Sequence, residues 1–331
     1  MRWPAEWEPQ AAVLIAWPHG DTDWADNLAE VEHTYLALAR AVTRFQPLIV
    51  CVADDALRAH VERLLEHDTG PFPVRLVTVP YDDTWLRDSG PITLLADTGK
   101  RLVDFRFTGW GGKFDAAQDD LLNARLARTG LFGQAELHSV DWALEGGAIE
   151  SDGQGSVLTT WQCLHARHPG LSRTEIEQRL REHLAAERIL WLDHGELQGD
   201  DTDAHIDTLA RFAPGDRIVY QACDDPADSH HAGLARMAAQ LAELRTPQGG
   251  AYTLLALPWP RAIVEDGRRL AASYANYLVI NEAVLVPSYG DPADTGAASL
   301  IGRAHPGREV VSIPCRPLIR QNGSLHCITM Q

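Results

Sequence analysis

Short strand-like runs outnumber amphipathic helices by roughly two to one along this chain, and many come as close pairs. Residues 48–52, 74–79, 92–95, 102–107, 156–160, 189–192 and 208–212 are apolar or alternating, as are 217–220, 252–257, 277–280, 283–287 and 309–313. Helical periodicity occupies 24–45, where Leu28, Val31, Tyr35, Leu38, Ala39 and Val42 fall on one face. It recurs at 55–65, 118–128, 172–184, 228–244 and 293–302, and Ser172-Arg173-Thr174-Glu175 is a capping box at one of these starts. Asn281-Glu282 and Asp97-Thr98-Gly99-Lys100 lie between paired runs and predict hairpin turns. Strict strand–helix alternation would give a parallel sheet, and a lack of helices an all-β fold; this rhythm is neither. It predicts repeated units of a few strands and one helix, an α/β arrangement with mixed sheets.

At 331 residues, 45% of them hydrophobic, the chain has ample material for a core, and length allows one large domain or two. Pro and Gly are spread as turn punctuation, with no linker-like stretch. A formal net charge of −17 argues against nucleic acid as a partner, since phosphate binding needs a basic face. It suits an acidic cleft that attracts a small cation, and equally plain solubility. The five cysteines, at 51, 163, 223, 315 and 327, are odd in number and widely spaced, so neither a disulfide framework nor a zinc cluster is suggested. Cys51, Cys163 and Cys315 stand beside apolar residues and read as core thiols. No apolar run approaches membrane-spanning length, and the N-terminal residues lack a signal-peptide core. The expectation is a soluble cytoplasmic protein that engages no membrane.

Several segments concentrate chemistry-bearing residues. Tyr81-Asp82-Asp83-Thr84-Trp85-Leu86-Arg87-Asp88 precedes a Ser-Gly-Pro break and predicts an ordered loop at a sheet end. Its carboxylates can hold a planar cation while Trp85 covers the cation's face. Arg87 is expected to brace the loop through Asp82 or Asp83, leaving Asp88 to face a ligand. Gly199-Asp200-Asp201-Thr202-Asp203-Ala204-His205-Ile206-Asp207 runs into a predicted strand. His205 and Asp207, two apart on an extended segment, would point to one face and join an acid/base to a ligand-holding carboxylate. With Asp200 and Asp203 they also suit a hard-cation site, and the local pattern leaves both readings open.

In Leu144-Glu145-Gly146-Gly147, an acid precedes paired glycines that permit close backbone approach or simply a tight turn. Glu145 is placed to orient a histidine or accept a proton. Gly109-Trp110-Gly111-Gly112-Lys113 lacks the spacing of a phosphate-binding loop and reads as a ligand-gating loop or a turn. Cys327 follows the turn-forming Gln321-Asn322-Gly323-Ser324, four residues before position 331. A nucleophile there requires the terminus to be tied down. The alternation of Leu325, Cys327 and Thr329 with His326 and Ile328 predicts a short strand that does so.

Together, Cys327, His205, Glu145, Asp88 and Asp207 resemble the active site of the guanidino-group-modifying superfamily. Within it, the chain resembles the agmatine deiminases and the bacterial peptidylarginine deiminase-like proteins. The likeness runs through Pro4-Ala5-Glu6-Trp7-Glu8, Ala16-Trp17-Pro18, Asp83-Thr84-Trp85-Leu86-Arg87-Asp88-Ser89-Gly90-Pro91 and Trp110-Gly111-Gly112-Lys113-Phe114. It continues through Glu145-Gly146-Gly147, Leu158-Thr159-Thr160, the 199–207 segment, Tyr274-Ala275-Asn276-Tyr277, Val286-Pro287-Ser288-Tyr289-Gly290-Asp291-Pro292 and His326-Cys327-Ile328-Thr329. Two places depart from the family pattern. Asp203-Ala204-His205 stands where Asp-Gly-His is more familiar, and Gln321-Asn322-Gly323-Ser324-Leu325 replaces a glycine run with Asn before the His-Cys pair.

The resemblance implies a single domain, residues 1–331. Its fold would be the pentein fold, a five-bladed pseudo-symmetric α/β propeller of ββαβ-type repeats around a central active-site channel. It implies Cys327 as nucleophile, His205 as general acid/base, Glu145 as the acid that orients or shares protons with His205, and Asp88 with Asp207 as the grip on a guanidinium. The implied reaction is hydrolytic deimination through an amidino-cysteine, agmatine giving N-carbamoylputrescine and ammonia. Trp85, Asp82 and Asp201 are the candidates for holding the distal ammonium. No metal ion or organic cofactor is implied, which sets aside a metal-dependent hydrolase using Asp200, Asp203, His205 and Asp207. The expected partner is a small cationic guanidine; homo-oligomerisation is left open. The alternatives are a deiminase of peptidyl or C-terminal arginine, with a shallower cleft, and a non-catalytic scaffold of the same fold.

Overall fold

A computed structural model describes residues 1–66, 69–97 and 99–331. Among them, five three-stranded sheets form the framework. The first holds β1 (Val13–Ala16), β2 (Leu48–Val52) and β3 (Val74–Thr78). The second holds β4 (Ile92–Ala96), β5 (Gly99–Arg106) and β6 (Glu136–Ala143), and the third β7 (Ile149–Ser151), β8 (Ser156–Thr160) and β9 (Arg188–Leu192). The fourth holds β10 (Ala210–Ala213), β11 (Arg217–Gln221) and β12 (Thr253–Leu257). A two-stranded ribbon, β13 (Val264–Glu265) and β14 (Arg268–Arg269), precedes the fifth sheet of β15 (Leu278–Ile280), β16 (Ala283–Ser288) and β17 (Glu309–Pro314).

The last four sheets repeat one plan: an antiparallel hairpin, then a helical crossover to a third strand parallel to the second. The crossover helices include Leu122–Arg128, Arg173–Leu184, His231–Glu243 and Asp294–Ala304. A parallel return needs such a crossover, and this is why paired runs and single helices alternate in the sequence. The first sheet is all-parallel, crossing through helices Leu28–Val42 and Asp55–Leu65. Its antiparallel neighbour comes from the far end of the chain: Met330 bridges Leu14, with Leu14 N donating to Met330 O at 2.7 Å and Met330 N donating to Leu14 O at 2.9 Å.

The predicted face of the 24–45 helix is the buried one at Val31, Tyr35, Leu38, Ala39 and Val42, with Leu28 half-buried. Each fully buried side chain of this size contributes about 1.5–3 kcal/mol. The capping box at Ser172 and Glu175 is formed. Ile280 pairs with Ala283 around the Asn281-Glu282 turn, and Ala96 pairs with Gly99; the turn residue Thr98 lies outside the described residues.

Two expectations are corrected. The segment around Cys327 is a turn and not a strand: Asn276 Oδ1 takes the His326 N–H at 2.9 Å and Thr329 N donates to His326 O, so the donors a strand would use are spent locally. The run expected as a strand from 208 starts only at Ala210, because Ile206–Thr208 is a single 3-10 turn. Among the described residues, no helix is long and apolar enough to cross a membrane.

Candidate active site

Four chain segments converge on one buried cluster. Asp88 sits on the single helical turn Leu86–Ser89 that follows Trp85. Its Oδ1 accepts the Gly147 N–H at 2.9 Å and its Oδ2 accepts Trp110 Nε1–H at 2.9 Å. Glu145 ends the β6 segment just before the Gly146–Ala148 turn, and both glycines are required by close approach. A Cβ on Gly146 would meet Arg87 O at 2.2 Å; one on Gly147 would meet His205 Nδ1 at 2.6 Å and Asp88 Oδ1 at 2.7 Å.

His205 caps the 206–208 turn, so it and Asp207 reach the cluster from a turn and not along one extended face. His205 Nδ1 lies 3.5 Å from Asp88 Oδ1, and Nε2 lies 3.6 Å from Glu145 Oε2. Asp207 Oδ2 accepts from His326 Nδ1 at 2.8 Å and from Asn276 Nδ2 at 3.2 Å. Cys327 Sγ is 3.7 Å from that same oxygen and 3.2 Å from Asn276 Nδ2. Buried polar atoms are ordinarily hydrogen-bonded, yet Asp207 Oδ1 and both ring nitrogens of His205 have no such partner among the described residues. They are hydrogen-bonding groups available to a bound ligand.

Electrostatics favour a cation here. Burial, reinforced by Asp207 and Glu145 and opposed by His205, lifts the Asp88 carboxyl to about 6. Burial depresses His205, but Asp88, Cys163 and Glu145 outweigh it and hold the imidazole well above its ordinary value. Burial raises the Cys327 thiol, and the Asp207 and Asp88 carboxylates raise it further. Burial also works against ionised Glu145, yet His205 and Arg167 keep its carboxyl below the usual range.

A cavity of about 60 Å³ opens beside the cluster, lined by Asp88, Cys327, Trp85, Trp110, Asp83 and Asp201 among others. Of the three residues expected at the distal end, Trp85 and Asp201 line it and Asp82 does not. Asp82 Oδ2 instead accepts the Gln118 N–H at 2.7 Å and serves the backbone. Asp83, expected as a brace partner for Arg87, and Asp23, which stands outside the motif, line the cavity as well. Burial, with Asp23 nearby, pushes Asp83 up to about 7. Arg87 pairs with neither Asp82 nor Asp83; it bonds Gln331 Oε1 at 2.7 Å and reaches His326 O at 3.5 Å, holding the chain's end.

Asp200 and Asp203 do not gather with His205 and Asp207 around an ion. Asp200 accepts the backbone N–H groups of Thr202 and Ala204, and Asp203 pairs with Arg167 and Lys113. Among the described residues, the His/Cys/Asp/Glu group close enough to share an ion is Glu145, Cys163 and His205. Cys163 is buried as expected of a core thiol, but it also faces Glu145 Oε2 at 3.9 Å. Trp110 was legible only as part of a glycine-rich run. Asn276 stands within the 274–277 segment of the family likeness but was given no role there, and Arg167, on the helix Trp161–Arg167, carries no local signal.

The family model for Porphyromonas-type peptidyl-arginine deiminases matches residues 2–331. The chain belongs to this family. Curated relatives include the agmatine deiminase of Stutzerimonas stutzeri, 33% identical with 99% of this chain and 94% of that protein covered. Another is the agmatine deiminase of Pseudomonas aeruginosa, also 33% identical, covering 100% and 95%. Among solved structures, an agmatine deiminase of C. jejuni with substrate bound superposes with a TM-score of 0.92 at 33% identity, covering 99% and 95%. A Porphyromonas gingivalis protein provisionally called an arginine deiminase gives 0.92 at 46% identity, covering 99% and 97%. The fold is thus the α/β fold of these family members.

Proposed function

We propose that this protein deiminates agmatine to N-carbamoylputrescine and ammonia through a covalent amidino-cysteine at Cys327. The observation that carries the reading is one juxtaposition: a buried thiol lies 3.7 Å from a carboxylate whose other oxygen has no protein hydrogen-bond partner, and Asp88 and His205 adjoin each other at 3.5 Å. A planar guanidinium between Asp88 and Asp207 would satisfy both and hold its carbon against sulfur. The same cation offsets the two carboxylates that raise the thiol, so thiolate forms when substrate is bound. Asn276 Nδ2–H supports the developing sulfur charge.

The steps then balance. Cys327 Sγ bonds to the guanidine carbon, and that carbon's bond to one nitrogen breaks as His205 gives the nitrogen its proton. Ammonia departs. Water, deprotonated by His205, attacks the amidino-thioether; the S–C bond breaks, and the ureido product leaves. Glu145, held by Arg167 at 2.7 Å, keeps an anionic oxygen toward His205 and stabilises the imidazolium before it gives up its proton and after it takes one from water.

Agmatine is favoured over arginine by the distal wall. The cavity lining carries Asp23, Asp83 and Asp201 and, among the described residues, no Lys or Arg to pair with an α-carboxylate. The names of the curated relatives support the same substrate. The five repeated sheet units, with Met330 joining the first, support a five-bladed propeller, and we read residues 1–331 as one domain in it. The free thiols suit a cytoplasmic setting.

The test is an ammonia and ureido-product assay with agmatine, free arginine and a peptidyl-arginine, alongside mass spectrometry of enzyme quenched in turnover. An amidino adduct on Cys327 formed from agmatine is expected. Turnover of the peptide alone would overturn the substrate, and an active Cys327→Ala would overturn the mechanism.

A further inference from the structure

We propose that Glu145, Cys163 and His205 form a Zn²⁺ site whose occupation switches the deiminase off. These donors come from the link between β6 and the Gly146–Ala148 turn, from helix Trp161–Arg167 and from the start of the Ile206–Thr208 turn, so the fold and not a local motif assembles them. One ligand atom from each lies within 4.8 Å of the others, and all three residues are buried. Tetrahedral zinc with Zn–N and Zn–O near 2.0 Å and Zn–S near 2.3 Å sets its donors about 3.3–3.6 Å apart. His205 Nε2 is 3.6 Å from Glu145 Oε2, Cys163 Sγ is 3.9 Å from that oxygen, and all three ligand atoms lie within 4.8 Å of one another, so closing on an ion needs side-chain shifts of between a few tenths of an ångström and about 1.3 Å.

Two further observations point to a ligand there. Both nitrogens of His205 lack a protein hydrogen-bond partner although the residue is fully buried. Arg167 Nε holds Glu145 Oε1 at 2.7 Å, which fixes the carboxylate so that Oε2 is the oxygen presented to His205 and Cys163. An outer group that orients a metal-binding carboxylate does this in metal sites generally. Asp203, 2.6 Å from Arg167 Nη1, balances the guanidinium, so the dication would meet two anionic ligands and a neutral imidazole. The thiol proton and the imidazolium proton leave to solvent as the ion binds. The soft thiolate selects zinc over magnesium or calcium.

Inhibition rests on the reading of His205 as the acid/base, because a metallated imidazole can neither give nor take the proton; the binding itself does not rest on it. The experiment titrates Co²⁺ as a spectroscopic probe, and Zn²⁺ in competition, into the whole protein, Cys163→Ser, Cys163→Ala and Cys327→Ser. Thermal melts confirm that each variant is folded. Expected are a thiolate-to-cobalt band and tetrahedral visible bands in the parent and in Cys327→Ser. Both Cys163 variants should lose them and bind Zn²⁺ about 30-fold or more weakly. Activity with agmatine should fall with Zn²⁺, return with chelator, and resist Zn²⁺ by the same factor in Cys163→Ser. A band that survives loss of Cys163, or that disappears with Cys327 instead, overturns the site. Binding through Cys163 with unchanged turnover overturns the switch while leaving the site.

Discussion

Replacing Gly147 by Ala tests the site more cleanly than removing a charged group. The added methyl carbon would stand 2.6 Å from His205 Nδ1, 2.7 Å from Asp88 Oδ1 and 3.2 Å from Asp207 Oδ2. Carbon contacts under 3.0 Å are not sustained, so the imidazole must retreat by at least about 0.4 Å and the Asp88 carboxylate by about 0.3 Å. Both retreat from one point, and the methyl stays where their shared ligand would be gripped. A misplacement of 1 Å can cost about a hundredfold; two shifts of a third that size, plus an apolar group among charges, predict a loss of kcat/KM of about 30- to 100-fold, or 2–2.7 kcal/mol.

Stability should fall only modestly, by about 1–3 kcal/mol, because the methyl overpacks movable side chains and Gly147 does not have the positive φ that penalises alanine. Gly146→Ala provides the contrast. Its methyl meets the backbone carbonyl of Arg87 at 2.2 Å, which cannot yield as a side chain does, so that variant should lower the melting temperature further. The assay is steady-state ureido-product formation with a melt on the same samples. Gly147→Ala turning over agmatine within about threefold of the parent would refute the placement of the ligand between these side chains.

Three further outcomes follow from the same geometry. With Asp88 lifted to about 6, its carboxylate takes a proton below that pH and no longer pairs with a guanidinium. The pH profile of kcat/KM should therefore fall about tenfold per unit on the acid side, and a profile flat through this region would exclude Asp88 from the grip. Ala204 holds a φ of 68°, a left-handed conformation that suits glycine. Ala204→Gly should relieve about 1–2 kcal/mol of strain against an entropic cost of 0.4–1, so the melting temperature should hold or rise slightly; a fall beyond about 3 °C would contradict this. Asp201→Asn should raise KM for agmatine about tenfold, with little change for an alkylguanidine lacking the terminal amine; equal effects on both would remove Asp201 from the ammonium end.

What the sequence made legible follows from how locally each feature is encoded. The helix over Leu28–Val42 and the hairpin at Asn281-Glu282 are fixed by periodicity and turn chemistry within a few residues, and both were readable. The short strand β7, Ile149–Ser151, is three residues long and buried throughout, so it carries no alternation to detect. The strand expected around Cys327 failed for a non-local reason: its backbone donor at His326 is claimed by Asn276, 50 positions away. The same holds for the site. Asp88, Glu145, His205, Asp207 and Cys327 stand in polar, glycine-punctuated segments. Arg167 sits on a helix and Glu6 near the N-terminus, and their roles depend on contacts 22 and 320 residues distant. Asp82 and Asp83 are indistinguishable in sequence, and only the backbone of Gln118 decides that the first turns away.

The charge pattern on either side of the cluster supports the proposal that a cation binds at one face of it. Arg87, Gly146 and His326 line a second cavity of about 140 Å³, while the chain neighbours Asp88 and Cys327 face the smaller one. Consecutive residues thus serve opposite sides of a thin wall. On the larger cavity's side the carboxylates are matched: Glu6 bonds Arg211 and His326 at 2.7 Å each, and Arg211 bonds Glu150 at 2.8 Å. On the other side Asp88 accepts hydrogen bonds from neutral donors, Trp110 and Gly147, with the His205 imidazole at 3.5 Å, and behind it Asp207 has, among the described residues, one unpartnered oxygen. Burial makes that imbalance costly, and a guanidinium is the planar cation that removes it. Arg87 N–H, donating to Cys327 O at 3.1 Å, ties the turn that bears Asp88 to the segment that bears the thiol. The Asp88 carboxylate and the Cys327 thiol are thus linked by a backbone hydrogen bond between their segments. That bond in turn depends on Arg87 and Leu14 holding Gln331 and Met330 in place.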